Sequence, residues 1–163
     1  EWAFPGMKGF EHRIGGLEKN KVGTVSHDPE NHQQNSEYRE KKVELVADML
    51  PDLEVCGDED GDVLVVGWGG TYGHLISTVR ELRKDGKNVS LAHFNYIRPL
   101  PKNTEEVFSK FRKIIVCELN LGQFAGYLRN KLPQFTYYQA NKVKGLPFTV
   151  AELKESVNKL LEE

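Results

Sequence analysis

The chain has 163 residues, is 39% hydrophobic and 28% charged, and carries a formal net charge of −2. That is the size and makeup of one α/β domain with a proper core. The charge balance gives no electrostatic case for nucleic acid, and no apolar run approaches the roughly 20 residues that span a bilayer. The two cysteines, Cys56 and Cys117, stand singly in apolar segments. They suit inert buried thiols in a reducing cytoplasm and are too few for a metal or iron–sulfur site.

The start, Glu1-Trp2-Ala3-Phe4-Pro5, has neither an initiator Met nor a signal pattern and reads as the cut edge of a longer chain. Residues 1–36 are rich in Gly, Asn, Gln, Glu and His and lack periodicity. They read as an arm or linker, disordered or laid on a partner. A domain is expected over 37–163. It opens with a helix over 37–50 that has Val43, Val46, Ala47 and Leu50 on one face and ends at Pro51.

Leu53–Cys56 alternates like a short strand, and Asp58-Glu59-Asp60-Gly61 signals a turn. Asp62 to Val66 is an apolar strand. The glycine turn Gly67-Trp68-Gly69-Gly70-Thr71-Tyr72-Gly73 then leads into a helix to Lys84 that carries Leu75, Ile76, Val79 and Leu82, with Gly86 as its left-handed C-cap. Asn88–Phe94 is the next strand. Prolines fix Ile97-Arg98-Pro99-Leu100-Pro101, and Asn103 or Thr104 is expected to cap a helix through Phe111. Lys113–Glu118 is the clearest strand. A helix marked by Phe124, Tyr127, Leu128 and Leu132 follows, then a short strand over 135–139. The last helix begins at a Thr149–Glu152 capping box.

Strands alternating with helices of this length need crossover connections, hence a largely parallel sheet. The strand at Leu53–Cys56 is followed so closely by the next that it should run antiparallel. The expected fold is α/β: three layers, α/β/α, around a five-stranded mixed sheet with the first strand antiparallel to four parallel ones.

The run from the acidic glycine turn to Ile97-Arg98-Pro99-Leu100-Pro101 resembles the C-terminal domain of transketolase-type thiamine diphosphate enzymes. A finer resemblance is to the α subunit of 2-oxoacid:ferredoxin oxidoreductases, above all the 2-oxoglutarate enzyme. Gly16-Leu17-Glu18, His27-Asp28-Pro29-Glu30-Asn31-His32, the glycine turn, His93 to Pro101, Cys117 to Gln123 and Lys142 to Phe148 carry it. The resemblance implies an enzyme that decarboxylates a 2-oxoacid on thiamine diphosphate and Mg, reduces ferredoxin through iron–sulfur clusters and acylates coenzyme A. It implies as partners the preceding domains of the α subunit, a β subunit and ferredoxin. The chain lacks cluster cysteines, and Asp60-Gly61-Asp62 is the wrong order for the diphosphate–metal motif. The expectation is therefore a C-terminal, transketolase-C-like domain that binds no cofactor alone and supports the active site from the cytoplasmic holoenzyme. A pyruvate or branched-chain enzyme, and a stand-alone nucleotide-binding α/β module, are the alternatives.

Three groups of residues are candidates for an interface or for a place beside the active site. His27, Asp28, Asn31 and His32 form a polar cluster suited to acid–base work, to metal binding or to a hydrogen-bonded docking loop. Gly67, Gly69 and Gly70 permit a tight turn against a partner, or phosphate contact at a helix N-terminus. The spacing misses the dinucleotide fingerprint, and no acid stands near the end of the next strand. His93, Asn95, Tyr96 and Arg98, with Glu118, Asn120 and Gln123, fall at strand C-terminal ends, where open sheets place functional groups. If Arg98 and Glu118 face one another, a structural salt bridge is the expectation. Tyr127, Tyr137 and Tyr138 are expected in the core or an interface.

Overall fold

The computed structural model describes residues 3–12 and 15–162; Glu1 and Trp2, at the expected cut edge, lie outside them. The chain divides into two compact units, Glu1–Leu45 and Val46–Glu163.

The first unit is built on a helix, α1, over Pro29–Leu45, none of whose residues is buried. It starts eight residues before the expected helix because Asp28 caps it: Oδ1 accepts the Asn31 N–H at 2.8 Å, and Pro29 at the first helical position gives up no needed hydrogen bond. It also stops early, passing into a 3-10 turn over Val46–Met49. The expected apolar face is not a core stripe, since Val43 and Val46 are exposed. Before the helix, residues 17–26 form an ordered turn with a bridge between Lys19 and Val25.

The second unit holds β1 (Val55–Cys56), β2 (Gly61–Trp68), α2 (Tyr72–Lys84), β3 (Val89–Phe94), α3 (Thr104–Ser109), β4 (Phe111–Glu118), α4 (Gln123–Lys131), β5 (Tyr137–Asn141) and α5 (Val150–Glu162). The strands form one sheet in the order β1-β3-β2-β4-β5. β2 pairs in parallel with β3 and β4, and β4 in parallel with β5. β1 is antiparallel, as expected, yet its partner is β3 and not the strand it precedes. The Ser90 hydroxyl of β3 helps to hold the chain there by donating to the Asp58 carbonyl at 2.8 Å.

The period of two divides the strand residues between two apolar layers. Leu64, Val66, Ala92, Phe94, Ile114 and Val116 pack with Val107 and Phe108 of α3 and Phe124, Ala125 and Leu128 of α4. Val63, Val65, Val89, Leu91, Ile115 and Cys117 pack with Leu75, Val79 and Leu82 of α2 and Leu153, Val157 and Leu160 of α5. The result is the three-layer α/β/α arrangement.

One expected cap and one expected helix end differ. Asn103 does not cap α3 through its side chain. It takes the Leu53 N–H at 2.7 Å and returns a bond to the Leu53 carbonyl at 3.0 Å, tying the segment before β1 to the loop after β3. Phe111, placed by its period at the end of that helix, opens β4 instead. The Thr149–Glu152 box forms as expected, with bonds of 2.8 and 3.2 Å. The Lys142 ammonium and the Thr149 N–H hold the Glu152 carboxyl at about 2.

Candidate functional site

The parallel strands β2, β3 and β4 end together, and the groups just past their C-terminal ends form a connected polar and aromatic assembly. Glu118, the last residue of β4, is its fixed point, and its side chain is fully buried. Its Oε1 accepts the Trp68 indole N–H from β2 at 3.2 Å, the Asn120 amide at 3.1 Å and the Phe124 backbone N–H at 2.8 Å. Oε2 accepts the Ala125 N–H at 3.1 Å. Phe124 and Ala125 lie in the first turn of α4, whose free N–H groups and positive dipole end favour an anion. The carboxylate thus occupies the site that an external phosphate would otherwise be offered. Asn120 closes the loop over it, its Oδ1 accepting the Gly122 and Gln123 N–H groups at 2.7 and 3.0 Å.

The glycine turn is shaped by two steric demands. A Cβ on Gly67 would run into Leu75 and come within 2.8 Å of the Thr71 hydroxyl, and Gly69 sits at φ +59°, a conformation that side chains resist. Gly70 meets neither demand. After Trp68 the chain takes a 3-10 turn over Gly69–Thr71 before α2 begins, so β2 does not run straight into a helix N-terminus as a phosphate cradle would. Thr71 turns its hydroxyl back to the Trp68 carbonyl at 2.8 Å.

His93 of β3 lies half-buried beside this turn. Its Nε2 is 3.4 Å from the Thr71 hydroxyl, and its ring meets Tyr72 edge to face with centroids 5.2 Å apart. Burial pushes its pKa below the ordinary 6.5; hydrogen bonds to the Gly69 and Trp68 backbone oppose that shift without reversing it. In the unfolded chain the imidazole regains its ordinary pKa, so between the two values the unfolded state binds more protons. His93 therefore gives its full contribution to stability above about pH 6.5 and loses it progressively as the pH falls below that value and through the lowered folded-state pKa. We expect the melting temperature to fall between pH 7 and pH 5, and His93→Gln to remove part of that fall. Identical pH profiles for the two proteins would contradict the account.

A cleft of about 470 Å³ opens at this end of the sheet, with Gly69, Tyr72, His93, Asn95 and Tyr96 on one side and the segment before β1 on the other. It brings together the sequence candidates His93 from β3, Asn95 and Tyr96 just past its end and Gly69 from the glycine turn. Arg98 does not line it, and Glu118 and Asn120 belong to the neighbouring β4–α4 loop.

The His27–His32 candidates belong to the first unit, where the structure gives most of them local roles. Asp28 caps α1, and the Asn31 amide donates to the Lys19 carbonyl at 3.3 Å. His32 Nδ1 lies 2.6 Å from the Glu18 carboxylate, which also accepts from Arg39 at 2.9 Å. Glu18 is the centre of this clasp, and the Arg39 and His32 hydrogen bonds lower its pKa. Sequence reasoning missed Glu18 and Arg39 as a pair; the Asp28-Pro29 start signal was there to be read. His27 is exposed. Among the described residues no group of three or more His, Cys, Asp and Glu is placed to hold a metal ion.

Residues 61–155 match the family model of the pyruvate:ferredoxin oxidoreductase core domain II. The chain belongs to that family. The 2-oxoglutarate oxidoreductase subunit KorA of Mycobacterium tuberculosis is 39% identical over 155 residues, which are 94% of this chain and 23% of KorA. The α subunit of 2-oxoacid:ferredoxin oxidoreductase 1 from Aeropyrum pernix is 32% identical over 149 residues, 87% of this chain and 23% of that subunit. The core domain II chain therefore spans about a quarter of the length of these relatives. Among solved structures, the 2-oxoglutarate:ferredoxin oxidoreductase from Magnetococcus marinus with 2-oxoglutarate, coenzyme A and succinyl-CoA bound superposes with a TM-score of 0.87 at 27% identity, over 96% of this chain and 28% of that one. A split-gene transketolase, described as an inactive beta4 tetramer, shares the fold at a TM-score of 0.53 and 13% identity, over 69% of this chain and 43% of its own.

The residues of this core domain II do not suit the redox cofactors of such enzymes. Cys117 is fully buried, and burial followed by the neighbouring Glu118 charge pushes its thiol up to about 12, far from the thiolate a cluster needs. Cys56 is half-buried on β1 and is the only other sulfur ligand of its kind.

Proposed function

We propose that the chain is the C-terminal, transketolase-C-like domain of the α subunit of a 2-oxoglutarate:ferredoxin oxidoreductase. The observation that supports this most is 39% identity to a 2-oxoglutarate oxidoreductase subunit along 94% of the chain. On this reading the holoenzyme decarboxylates 2-oxoglutarate on thiamine diphosphate and Mg, passes electrons through iron–sulfur clusters to ferredoxin and forms succinyl-CoA. This domain holds none of those groups itself. Its partners are the preceding domains of the α subunit and a β subunit, and its task is assembly and support of the active site in the cytoplasm.

Two features favour a supporting role. The Glu118 assembly fills the one helix N-terminus at the strand ends that its own loop wraps, leaving it no vacancy for a phosphate. That rigid loop also presents Leu121, 83% exposed, at its tip, a side chain suited to burial against another surface. The family description names pyruvate, so a pyruvate enzyme is the competing substrate reading. A stand-alone nucleotide-binding module finds no support in the turn after β2, for the reasons of geometry given above.

The test is reconstitution. The 163-residue chain alone should yield no succinyl-CoA from 2-oxoglutarate and coenzyme A, and the α subunit containing it, assembled with its β subunit, should yield it with reduction of ferredoxin. Turnover by the isolated chain would refute the supporting role, and faster turnover of pyruvate by the assembly would refute the substrate.

A further inference from the structure

The cleft beside His93 has a distinct chemistry. Its lining includes two carboxylates, Asp52 and Glu54, and two tyrosines, Tyr72 and Tyr96, exposed at 47% and 46%. Among the described residues no lysine or arginine lines it. Neither Asp52 nor Glu54 forms an ion pair among the described residues. Lys102, next to the lining residue Pro101, is already tied to Asp48 at 2.5 Å. Burial disfavours the charged form of His93, the lining group that could otherwise have supplied a positive charge. The Asn95 amide adds a neutral acceptor on the same side.

Acids and aromatic faces together, without a base, select a cation. A phosphate or a carboxylate would meet like charge here, with only the neutral donors of Asn95, His93 and the tyrosines to offset it. A planar guanidinium fits better than an ammonium, because it stacks on aromatic rings while its N–H fork engages carboxylates. The cleft lies open at the surface of the sheet's C-terminal end, so the cation can arrive on a protruding side chain.

We propose that this cleft receives an arginine side chain of a partner polypeptide, with the guanidinium against the Tyr72 and Tyr96 rings and its donors on the Asp52 and Glu54 carboxylates. The cleft chemistry stands apart from the oxidoreductase reading, which bears only on where the arginine comes from. The interaction is a recognition contact: a charged anchor that a neighbouring surface must supply, and that a surface bearing glutamate or phosphate at the same point cannot.

Two-dimensional amide NMR of the 163-residue chain tests it with N-acetyl-arginine methylamide as the probe. The uncharged citrulline counterpart and inorganic phosphate are the parallel titrations. The arginine probe should give saturable shifts at the Gly69, Tyr72, His93, Asn95 and Tyr96 amides, with the citrulline probe about tenfold weaker, equivalent to one lost charged contact. Phosphate should leave those amides still. Asp52 and Glu54 are both exposed, so the double variant D52N/E54Q should keep a dispersed spectrum and lose the response; if it does not stay folded, E54Q and Y96A singly should each weaken binding. Absence of saturable shifts, an equal response to citrulline, or a response to phosphate would each overturn the proposal. Enzyme turnover does not enter the measurement, so its outcome is separate from that of the proposed function.

Discussion

Glu118→Ala should lower the stability of the chain by about 3 kcal/mol, a fall in melting temperature of roughly 10 °C. The substitution removes the acceptor for four N–H groups at once: the Trp68 indole, the Asn120 amide and the Phe124 and Ala125 backbone. Two of these are buried at the first turn of α4, and a buried donor left without a partner carries its full desolvation penalty. Glu118→Gln keeps the shape but turns an NH2 group toward at least one donor, so it should fall between wild type and alanine. Thermal unfolding of the three proteins measures this directly. Equal melting temperatures for Glu118→Ala and wild type would mean that water satisfies the donors, and that the carboxylate does not fix the loop.

Phe94→Ala should be at least as harmful, at about 4 kcal/mol. Phe94 is the residue after His93 and points to the opposite face of the sheet, where it is 1% exposed. Its ring meets Phe124 at 5.1 Å and Phe108 at 6.1 Å, both edge to face, so truncation empties the space where α3 and α4 lean on the strands. Phe94→Leu, which refills most of that volume, should recover about half the loss. The two positions separate by chemistry: the Phe94 loss should persist at high salt and any pH, since no charge is involved. Denaturant midpoints at fixed m-value are the measurement. A loss below about 1 kcal/mol for the alanine variant would show that this layer collapses readily around the gap.

The parts of the fold that were readable from the chain are those encoded locally. Val63-Leu64-Val65-Val66 and Ile114-Ile115-Val116-Cys117 are apolar without a break because both faces of a parallel sheet are covered. The Thr149–Glu152 box is a contact across three residues, and it formed. The family resemblance was likewise carried by short segments, and the match over 61–155 bears it out. What was hidden depends on partners distant in sequence. The early strand pairs with β3, where Val55 meets Ala92 and, beyond the strand, the Ser90 hydroxyl meets the Asp58 carbonyl across 32 positions. Asn103 was read as a cap, yet it serves Leu53, 50 residues away. The start of α1 was missed for a different reason: the helix buries nothing, so it leaves no apolar period to detect.

At the candidate site, the chain order alone put His93 and Glu118 at the ends of β3 and β4, but the connections they make were not legible. Glu118 was considered as a partner for Arg98, whereas four N–H groups of Trp68, Asn120, Phe124 and Ala125 surround it. Three of those donors are local, and only a fold that brings β2 beside β4 could supply the indole. Asp52 and Glu54 raised no signal at all, because an exposed acid in a loop has no pattern until a cleft forms around it, whereas Tyr96 was grouped from the start with its neighbours His93 and Asn95.

The helix that buries nothing also bears on how the chain would melt. The heat capacity of unfolding and the response to denaturant both scale with the surface newly exposed to water. Polar links hold residues 17–39 together: the Glu18 clasp, the Asp28 cap, and the Asn31 and Asn35 amides on the Lys19 carbonyl. Loss of that order exposes little apolar area, so it passes almost silently in a calorimeter. The endotherm reports the sheet and its two layers, while salt and acid act first on a clasp whose disappearance heat alone would scarcely register.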